Sequence, residues 1–537
     1  METIVTAAPA PAASPRTVVQ RVLTDKAVWL VAAAAFGVEM AVSARYGYVR
    51  DELYFLASGH HLALGGVDQP ELTPLLARLD ALVTGNTLVG LRALPALAFA
   101  AMVLCTGSMA RVLGADRRGQ LIAAVATACC AEYLGALHEL TTTTPDLVCW
   151  TVALLLVTRL LASGDPRWWL AIGGAAGVGM TAKWNIGFLV GGLLLGFACT
   201  PAARPLLRSR YLALGAALFA VLAAPDFVWQ ALHGWPNFDV FHALQRDAWQ
   251  NRLQYWPGQA LYTSIVLVPL WVSGAAWALR SARYRPIGIA AVTVICAQFV
   301  LGGKTYYPGG IYTFLFAAGA VSVTAWVRYR RFCLRCAFRR GVCRRCAFHR
   351  SAFHHGAPGS RPARRRIAVY CLGAAIASLI SLPVLPAAAL ARFPVQKINY
   401  DLGEEIGWPS QVKLLAGVWL ALPAAERQRT TLLAGNYGEA GAVDRYGASF
   451  GLPQVYSGDN NFWLWGPPPA RDTNAVAIGF DPALQALLRR EFAHVTEVAV
   501  YHNGMNVADD EEGAVIYVAT GLRGAWTSAW PAFRDFS

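Results

Sequence analysis

The stretch LVGLRALPALAFAAMVLCTGSMARVL, residues 88–113, decides the class of fold that this chain adopts. It exceeds the roughly 20 residues that an α-helix needs to cross about 30 Å of hydrocarbon. A helix satisfies its own backbone hydrogen bonds, so such a run can cross a bilayer. Across the 537 residues, the 56% hydrophobic content, positive mean hydropathy and 15% charged content exceed what a soluble core requires. The sequence therefore predicts an integral membrane protein.

Comparable apolar runs recur along the first 391 residues and predict an all-α polytopic domain of about eleven transmembrane helices. They lie near 28–44, 88–113, 119–138, 146–163, 168–182, 185–200, 211–232, 258–279, 286–302, 310–327 and 367–391. The pair at 168–200 is ambiguous, because Lys183-Trp184-Asn185 either separates two helices or interrupts one long helix. A single helix there would reduce the count to ten and move the C-terminal tail to the other side of the membrane.

Basic residues distinguish the two sides, because they collect in every second loop, as the positive-inside rule expects of cytoplasmic loops. The residues are Arg16, Arg21, Lys26, Arg111, Arg117, Arg118, Arg204, Arg208, Arg210, Arg280, Arg283 and Arg285. The segment 328–366 holds thirteen arginines and no acidic residue, so it also belongs inside. With two helices across 168–200, every basic loop falls on one side. We therefore predict a cytoplasmic N-terminus and an extracytoplasmic tail.

The formal net charge of +14 is a topology signal, because the tail from residue 392 counts 11 Lys and Arg against 16 Asp and Glu. Nucleic-acid binding is the competing interpretation of a basic chain, and arginines placed beside spans disfavour it. Residues 1–27, rich in Ala and Pro, lack a signal-peptide cleavage pattern and are predicted to be a disordered cytoplasmic lead.

Four of the eleven cysteines form two CxxC pairs in the basic loop, Cys333 with Cys336 and Cys343 with Cys346. Such pairs can hold zinc as thiolates. The loop also repeats the sequence Arg-Cys-Ala-Phe, which is typical of a biased, unstructured insertion and favours a dispensable segment. No cysteine lies beyond Cys371, so the external domain is predicted to fold without disulfides.

The tail, residues 392–537, is predicted to be a soluble α/β domain on the external side. Apolar segments predict strands near 430–434, 475–480, 495–501 and 514–519. Asp481 followed by Pro482 predicts a helix start. The turn Gly435-Asn436-Tyr437-Gly438 lacks the pattern of a phosphate-binding loop, so we interpret it as a plain strand-to-helix turn.

Carboxylates collect at the external ends of the predicted spans, where they are costly unless they have a function. The first external loop, about residues 45–87, contains RDELYFLA at 50–57 and DQPELTPL at 68–75. Asp51 and Glu52 differ by about 100° in direction on a helix, so one can face a substrate while the other is structural. Glu139, Asp146 and Asp226 lie at the same depth, although each could instead cap a helix N-terminus.

These motifs resemble those of bacterial membrane glycosyltransferases related to protein O-mannosyltransferases and to the lipid A aminoarabinose transferase. The similar stretches are 50–55, 68–75, 181–185, 229–236 and 302–308, within about residues 28–327, with looser matches at 435–440 and 456–458. The resemblance implies the polytopic GT-C fold, in which a sugar passes from a polyprenyl phosphate to an acceptor outside the membrane. Pro70-Glu71 replaces the usual Pro-Pro, and the β-trefoil insert of eukaryotic mannosyltransferases is missing, so a protein acceptor is not supported.

The resemblance implies that the acidic residue of the first loop is the catalytic base, which corresponds to Asp51, with Glu52 as its neighbour. Displacing a phosphate from an anomeric carbon needs such a base and positive charge for the departing oxygens. The candidates for binding the donor phosphate are Lys304, Arg50 and Lys183. The other polar and aromatic candidates for substrate binding are Tyr54, Asp68, Asp146, Tyr306, Tyr307 and Trp235.

We therefore predict an inverting membrane glycosyltransferase that uses a polyprenyl-phosphate-linked sugar and an envelope glycan, lipid or protein acceptor. Membrane lipids surround it, and no nucleic acid partner is expected. The displacement requires no cofactor and no metal site is predicted, while a role for a divalent metal is left open. A transporter or flippase is the alternative, but it predicts paired interrupted helices in two repeats, which we do not find. A sensory scaffold would leave the carboxylate-rich first loop unexplained.

Overall fold

The computed structural model describes residues 25–338 and 372–536, with side chains for 25–325 and 372–536. Most of the predicted cytoplasmic lead 1–27 and the CxxC pair at Cys343 and Cys346 lie outside these residues. The side chains of Cys333 and Cys336 are outside them too. The disordered lead and the dispensable Cys/His loop therefore stay predictions.

The described residues up to 391 are mainly helical. Its helices are α1 Lys26–Val42, α2 Arg50–His60, α3 Leu72–Thr84, α4 Leu88–Val112, α5 Arg117–Ala128, α6 Ala131–Ala136, α7 Thr143–Ser163, α8 Trp168–Ala182, α9 Ile186–Cys199, α10 Arg204–Leu207, α11 Arg210–Leu232, α12 Pro236–Gln245, α13 Ala248–Tyr262, α14 Val268–Arg280, α15 Arg285–Leu301, α16 Tyr312–Phe338 and α17 Leu372–Ser381. Short 3-10 turns lie at Ile265–Leu267, Gly309–Ile311 and Ala387–Ala389.

Within the described residues, three helices, α4, α7 and α11, are long and apolar enough to cross a membrane. A fourth span is possible if the bent pair Ala248–Tyr262 and Ile265–Arg280 counts as one. Shorter apolar helices of 10–17 residues include α9, α15 and α17. These helices support a membrane location, but the predicted count of about eleven spans is not confirmed.

Several predicted spans are interrupted. The predicted span 119–138 consists of two helices, α5 and α6. Ser264 stabilises the break between them, because its hydroxyl donates to the carbonyl of Cys129 (2.8 Å) and accepts from the amide of Ala131 (3.0 Å). The prediction at 258–279 bends by 79° near the same serine, whose φ is 63°. The prediction at 367–391 was too long, because the helix ends at Ser381, before Pro383. The segment 168–200 forms two helices, α8 and α9.

Close helix packing depends on glycines at several crossings, as is common between membrane helices. In α8, a Cβ at Gly173 would lie 2.1 Å from the carbonyl oxygen of Gly215 in α11. In α9, a Cβ at Gly196 would lie equally close, 2.1 Å, to the carbonyl oxygen of Pro286 in α15. These two contacts bring the helix backbones together.

The C-terminal region contains a five-stranded mixed sheet with the strand order β2-β1-β3-β5-β4. The strands are β1 Thr430–Ala434, β2 Val455–Ser457, β3 Asn474–Ile478, β4 Phe492–Val500 and β5 Val515–Leu522. β1 pairs in parallel with β2 and β3, and β5 pairs antiparallel with β3 and β4. The four predicted strands are present, and the three-residue edge strand β2 was not predicted.

Helices and 3-10 turns surround the sheet. They are the 3-10 turns Val395–Lys397, Gly447–Phe450 and Trp530–Phe533, and the helices α18 Asp401–Glu404, α19 Trp408–Ala421, α20 Ala424–Arg427, α21 Tyr437–Tyr446, α22 Asn460–Leu464, α23 Pro482–Glu491 and α24 Trp526–Ala529. Asp481 caps α23 as predicted, because its carboxylate accepts from the amide of Leu484 at 2.7 Å.

Helix α2, in the first loop (about residues 45–87), belongs to the core of this C-terminal domain. Leu53 is 1% exposed and packs with Trp408 and Val443 in one apolar cluster. A Cβ at Gly441 of α21 would lie 2.9 Å from the backbone of Leu53, so the two helices touch closely. The domain therefore holds the first loop in place, and the carboxylates of that loop with it.

Candidate active site

A cavity of about 680 Å³ lies where the first loop, the loops around Lys183 and Lys304, and the start of the C-terminal domain meet. We call it the central cavity. Its polar lining includes Arg50, Asp51, Glu139, Lys183, Lys304, Tyr306, Tyr400, Asp401 and Tyr437. Its apolar lining includes Leu261, Ile265, Val266, Ile376, Ala377 and Ile380. The cavity thus combines charged groups with a hydrocarbon surface.

Asp51 lies in the first turn of α2, where the positive end of the helix dipole favours a carboxylate. The hydroxyl of Tyr437, at the start of α21 in the C-terminal domain, donates to Oδ1 of Asp51 at 2.8 Å. Burial, and then the charge of Asp51, raise the pKa of Tyr437 well above its usual value, so the tyrosine stays a donor. Asp51 therefore faces the central cavity with one oxygen held by a neutral hydroxyl.

Lys183 and Lys304 both line the central cavity, and neither ammonium group forms an ion pair or a hydrogen bond with another residue that the structure describes. The ammonium of Lys183 lies 5.2 Å from the ring centre of Tyr306 and 4.9 Å from that of Tyr307, within cation–π distance. Burial lowers the pKa of Lys183 to about 8, although the negative charge of Asp146 acts in the opposite direction and raises it. Both lysines can thus offer positive charge to an anion in the cavity.

Arg50 also lines the cavity, but acidic residues of the C-terminal domain already neutralise it. Its guanidinium lies 2.5 Å from Glu404 and 3.0 Å from Asp510, and it also donates to the hydroxyl of Tyr400. The carboxylate of Glu511 lies 3.7 Å away. A donor phosphate would have to compete with these partners, so Arg50 fixes α2 to the domain more directly than it offers a free charge.

Glu52 points away from the central cavity and is fully buried. It accepts two hydrogen bonds from Arg92 in α4, at 3.1 and 3.2 Å, and one each from the amides of Val49 and Leu140. Arg92 also reaches Glu405, at 3.4 Å. Of the acidic pair, Asp51 therefore meets the cavity and Glu52 anchors the helix that carries it.

Two of the other carboxylates that line the cavity are close enough to Asp51 for its charge to raise their pKa. Asp401 starts α18 and is accessible to water, yet enclosure by the cavity walls and the charge of Asp51 raise its pKa to about 6. Glu139 is buried, and burial followed by the charge of Asp401 raises its pKa well above the usual range. Sequence reasoning missed Asp401, although Asp401, Glu404 and Glu405 form an acidic cluster just after the last predicted span.

A smaller cavity of about 270 Å³, the side cavity, adjoins the central one, because Thr142, Lys183 and Lys304 line both. Asp68 and Tyr307 line the side cavity alone. The predicted residue Tyr54 is 1% exposed and lies behind Asp68, to which its hydroxyl donates at 2.7 Å. Burial raises the pKa of Asp68 to about 6.

Asp146 and Trp235 lie apart from the cavity surfaces. Asp146 accepts from the indole of Trp150 at 2.9 Å and from the amide of Asn185 at 3.0 Å, so both its oxygens are occupied. Trp235 has φ 62° at the start of α12 and packs against Phe227 and Phe238. Asp146 holds the break between α8 and α9, and Trp235 shapes the turn after α11.

No group of three or more His, Cys, Asp or Glu side chains that could hold a metal ion occurs among the residues that the structure describes. Cys343 and Cys346 lie outside those residues, and so do the side chains of Cys333 and Cys336. The zinc alternative for that loop therefore stays open.

Comparisons with known proteins agree with the resemblance read from the motifs. Residues 68–229 match a family described as dolichyl-phosphate-mannose-protein mannosyltransferase. The structure is similar to ArnT from Cupriavidus metallidurans bound to undecaprenyl phosphate, with a TM-score of 0.53, 16% identity, and coverage of 94% of this chain and 98% of that one. The apo state of the same ArnT gives a TM-score of 0.52, 14% identity and the same coverage. No curated protein gives a significant sequence match.

The resemblance to membrane glycosyltransferases of the GT-C fold is thereby confirmed. At 14–16% identity the structural similarity establishes the fold, a helical region followed by a small C-terminal sheet domain. The match at 68–229 begins in the first external loop and ends in α11, so it includes Asp68, Asp146 and Lys183.

Proposed function

We propose that this chain transfers a sugar from a polyprenyl-phosphate donor to an acceptor on the external face of the membrane, with inversion at the anomeric carbon. The acceptor is an envelope glycan, lipid or protein. The observation that carries the proposal is the central cavity, which brings Asp51, two lysines without ion-pair partners in the described part of the chain, and an apolar wall together. A long isoprenoid with a phosphate head has the same division between apolar and charged parts.

In this reaction the acceptor hydroxyl attacks the anomeric carbon, and the bond from that carbon to the phosphate oxygen breaks. Asp51 takes the proton of the hydroxyl as the new glycosidic bond forms. Lys304 and Lys183 stabilise the negative charge of the departing polyprenyl phosphate. Glu52 and Arg50 act through position, because they fix α2 to Arg92 and to the C-terminal domain.

The proposal includes a topology in which about eleven helices cross the membrane, with residues 1–27 in the cytoplasm and residues 392–537 outside. The C-terminal domain then covers the external face of the helical region and supplies Tyr437 and Asp401 to the cavity. No metal is required for the displacement as written.

The test uses purified protein in detergent with radiolabelled polyprenyl-phosphate sugars, and measures both transfer to added envelope acceptors and release of the sugar to water. Asp51→Asn keeps the size of the side chain and removes its charge, so loss of a general base should lower the rate roughly 10² to 10⁴-fold. Near wild-type turnover by Asp51→Asn would refute the proposal. A transporter would move the donor and leave the sugar–phosphate bond intact, so the same assay separates the two functions.

A further inference from the structure

A third cavity, of about 340 Å³, lies between the first external loop, the end of α11 and helix α22 of the C-terminal domain. We call it the aromatic pocket. Its lining includes Ser58, His61, Gln69, Glu71, Trp229, His233 and Trp465. Pro70 lines both this pocket and the side cavity, and the side cavity shares both lysines with the central cavity. The three cavities are therefore neighbours, with the side cavity between the other two.

Several polar groups that line the aromatic pocket are buried without partners. Gln69 is 2% exposed, and neither its amide oxygen nor its amide nitrogen has a hydrogen-bond partner among the described residues. The same is true of the hydroxyl of Ser58, which is 3% exposed, and of Oε2 of Glu71. More than nine in ten buried polar groups in proteins have a partner, so three such groups around one cavity indicate a ligand rich in donors and acceptors.

Flat rings complete the lining. The ring of Trp465 stacks on that of His61, with centroids 4.2 Å apart, and the ring of Trp229 stacks on that of His233 at 4.0 Å. In the described part of the chain, neither indole N–H donates a hydrogen bond. The pocket thus offers flat apolar faces and free donors together, which matches a pyranose ring, with its C–H face and its rim of hydroxyls.

The walls of the pocket are held in position before any ligand binds. The carbonyl of Gly66 accepts from Gln230 at 2.7 Å, and the amide of Val67 donates to Asn461 at 2.8 Å. A Cβ at Gly66 would lie 2.8 Å from the side chain of Asn461, so the loop and the C-terminal domain are in close contact there. Such preorganisation lowers the entropic cost of binding.

We propose that the aromatic pocket binds a pyranoside residue of the acceptor, and that the acceptor is therefore a glycan. This inference rests on the proposed transferase function, because only a transferase has an acceptor. Ser58 and Gln69 exchange hydrogen bonds with the hydroxyls of the sugar, Glu71 accepts another, and Trp465 or Trp229 covers its C–H face. The rest of the acceptor then extends past Pro70 and the side cavity towards Asp51.

Binding can be measured on the full chain in detergent, without donor, by saturation-transfer NMR with the methyl pyranosides of glucose, galactose, mannose and N-acetylglucosamine. We expect at least one of them to bind at millimolar concentration, with the strongest transfer to its ring C–H protons. Gln69→Leu removes the amide oxygen and the amide nitrogen and breaks no side-chain hydrogen bond with another described residue, so it should fold and weaken binding at least tenfold. Trp465→Ala should do the same.

Trp249→Ala is the matched control, because Trp249 is 69% exposed in α13 and is not a lining residue of the pocket. It should leave binding unchanged. The inference is overturned if none of the four glycosides binds the wild-type protein, or if binding survives both Gln69→Leu and Trp465→Ala. Failure of the proposed transferase function would be seen in a different assay, as donor hydrolysis that does not depend on Asp51. The glycoside measurement does not involve the donor, so the two failures are distinguishable.

Discussion

The hydroxyl of Tyr437 donates a hydrogen bond of 2.8 Å to the carboxylate of Asp51, across 386 residues of chain. Asp51 belongs to the first external loop, and Tyr437 begins a helix of the C-terminal domain. The proposed base is therefore oriented by a domain that lies far away in sequence. Under the proposed function, this contact gives the C-terminal domain a direct part in the chemistry.

Tyr437→Phe should lower the turnover number with little change in the donor KM, because it removes the hydrogen bond that orients the carboxylate. Hydrogen bonds to charged groups contribute about 1.5–3 kcal/mol, so a rate loss of roughly 10- to 100-fold is expected. Tyr446→Phe is the control in the same helix, since the hydroxyl of Tyr446 has no hydrogen-bond partner in the described residues. Equal rates for the two variants would show that the contact with Asp51 does not matter to the reaction.

Lys304→Ala and Lys183→Ala should each weaken engagement of the donor, because the phosphate loses a charge-assisted contact. The expected increase in donor KM is roughly tenfold or more for each variant, measured with a radiolabelled polyprenyl-phosphate sugar. Lys413→Ala, a change at an exposed lysine of the C-terminal domain, should keep the wild-type KM. An unchanged KM in both cavity variants would remove the lysines from the phosphate site.

Glu52→Gln should lower the stability of the folded protein more than it changes the reaction. It leaves Arg92, which is 1% exposed, with a buried charge that has lost its nearest partner, and breaking such a pair typically costs about 3–5 kcal/mol. The melting temperature should fall clearly. The double variant Glu52→Gln/Arg92→Met should recover part of the loss, because no unpaired cation remains and Glu405, which also loses Arg92, can hold a proton. A variant that keeps the wild-type melting temperature but loses activity would show instead that Glu52 takes part in the reaction.

The sequence predicted features that local patterns encode. Alternating and apolar segments located strands β1, β3, β4 and β5, the pair Asp481-Pro482 located a helix start, and the motif around Asp51 selected the loop that lines the central cavity. Each of these depends on neighbours within a few residues. The broken spans were predicted less well, because the break after α5 depends on Ser264, which lies 135 residues from the Cys129 carbonyl that it binds.

Contacts between distant segments could not be predicted from one sequence. Asp51 and Glu52 look equivalent as neighbours in a motif, and only the position of Arg92 shows which of them is turned inward. Arg50 is a second example. The sequence suggests an unpaired cation next to the membrane, whereas in the structure Arg50 is paired with Glu404. Asp401 gave a local signal, an acidic cluster, but nothing in that cluster indicates that it meets the first loop.

Topology can be tested with reporter fusions, because the alternation of basic loops predicts one orientation. A reporter after Ser537 should be active only outside the cytoplasm, and a reporter after Gly356 only inside. A phosphatase and a fluorescent protein, which are active on opposite sides, give complementary readouts. Swapped results would place Asp51 and the C-terminal domain in the cytoplasm, and a polyprenyl-phosphate donor used outside would then be ruled out.

The protein should be more stable at mildly acidic than at mildly alkaline pH. Burial is the main cause that raises the pKa of Glu439 to about 7 and of Glu405 to about 8, both in the C-terminal domain. A carboxyl group with a raised pKa holds its proton more tightly in the folded than in the unfolded protein. Its unfavourable contribution is absent below the usual value near 4.5 and grows until the pH passes the folded pKa. The melting temperature should therefore fall between pH 5 and pH 8.

Glu439→Gln isolates one of these groups. Glu439 accepts hydrogen bonds from the amides of Gly435 and Asn436, and the amide oxygen of glutamine can accept them too. The variant should lose part of the pH dependence, so that its melting temperature exceeds that of the wild type at pH 8 and approaches it at pH 5. Glu497→Gln, at an exposed position of β4, should keep the wild-type slope. An unchanged pH dependence in Glu439→Gln, or a melting temperature that rises with pH, would contradict the raised pKa values of the buried carboxyl groups in the C-terminal domain.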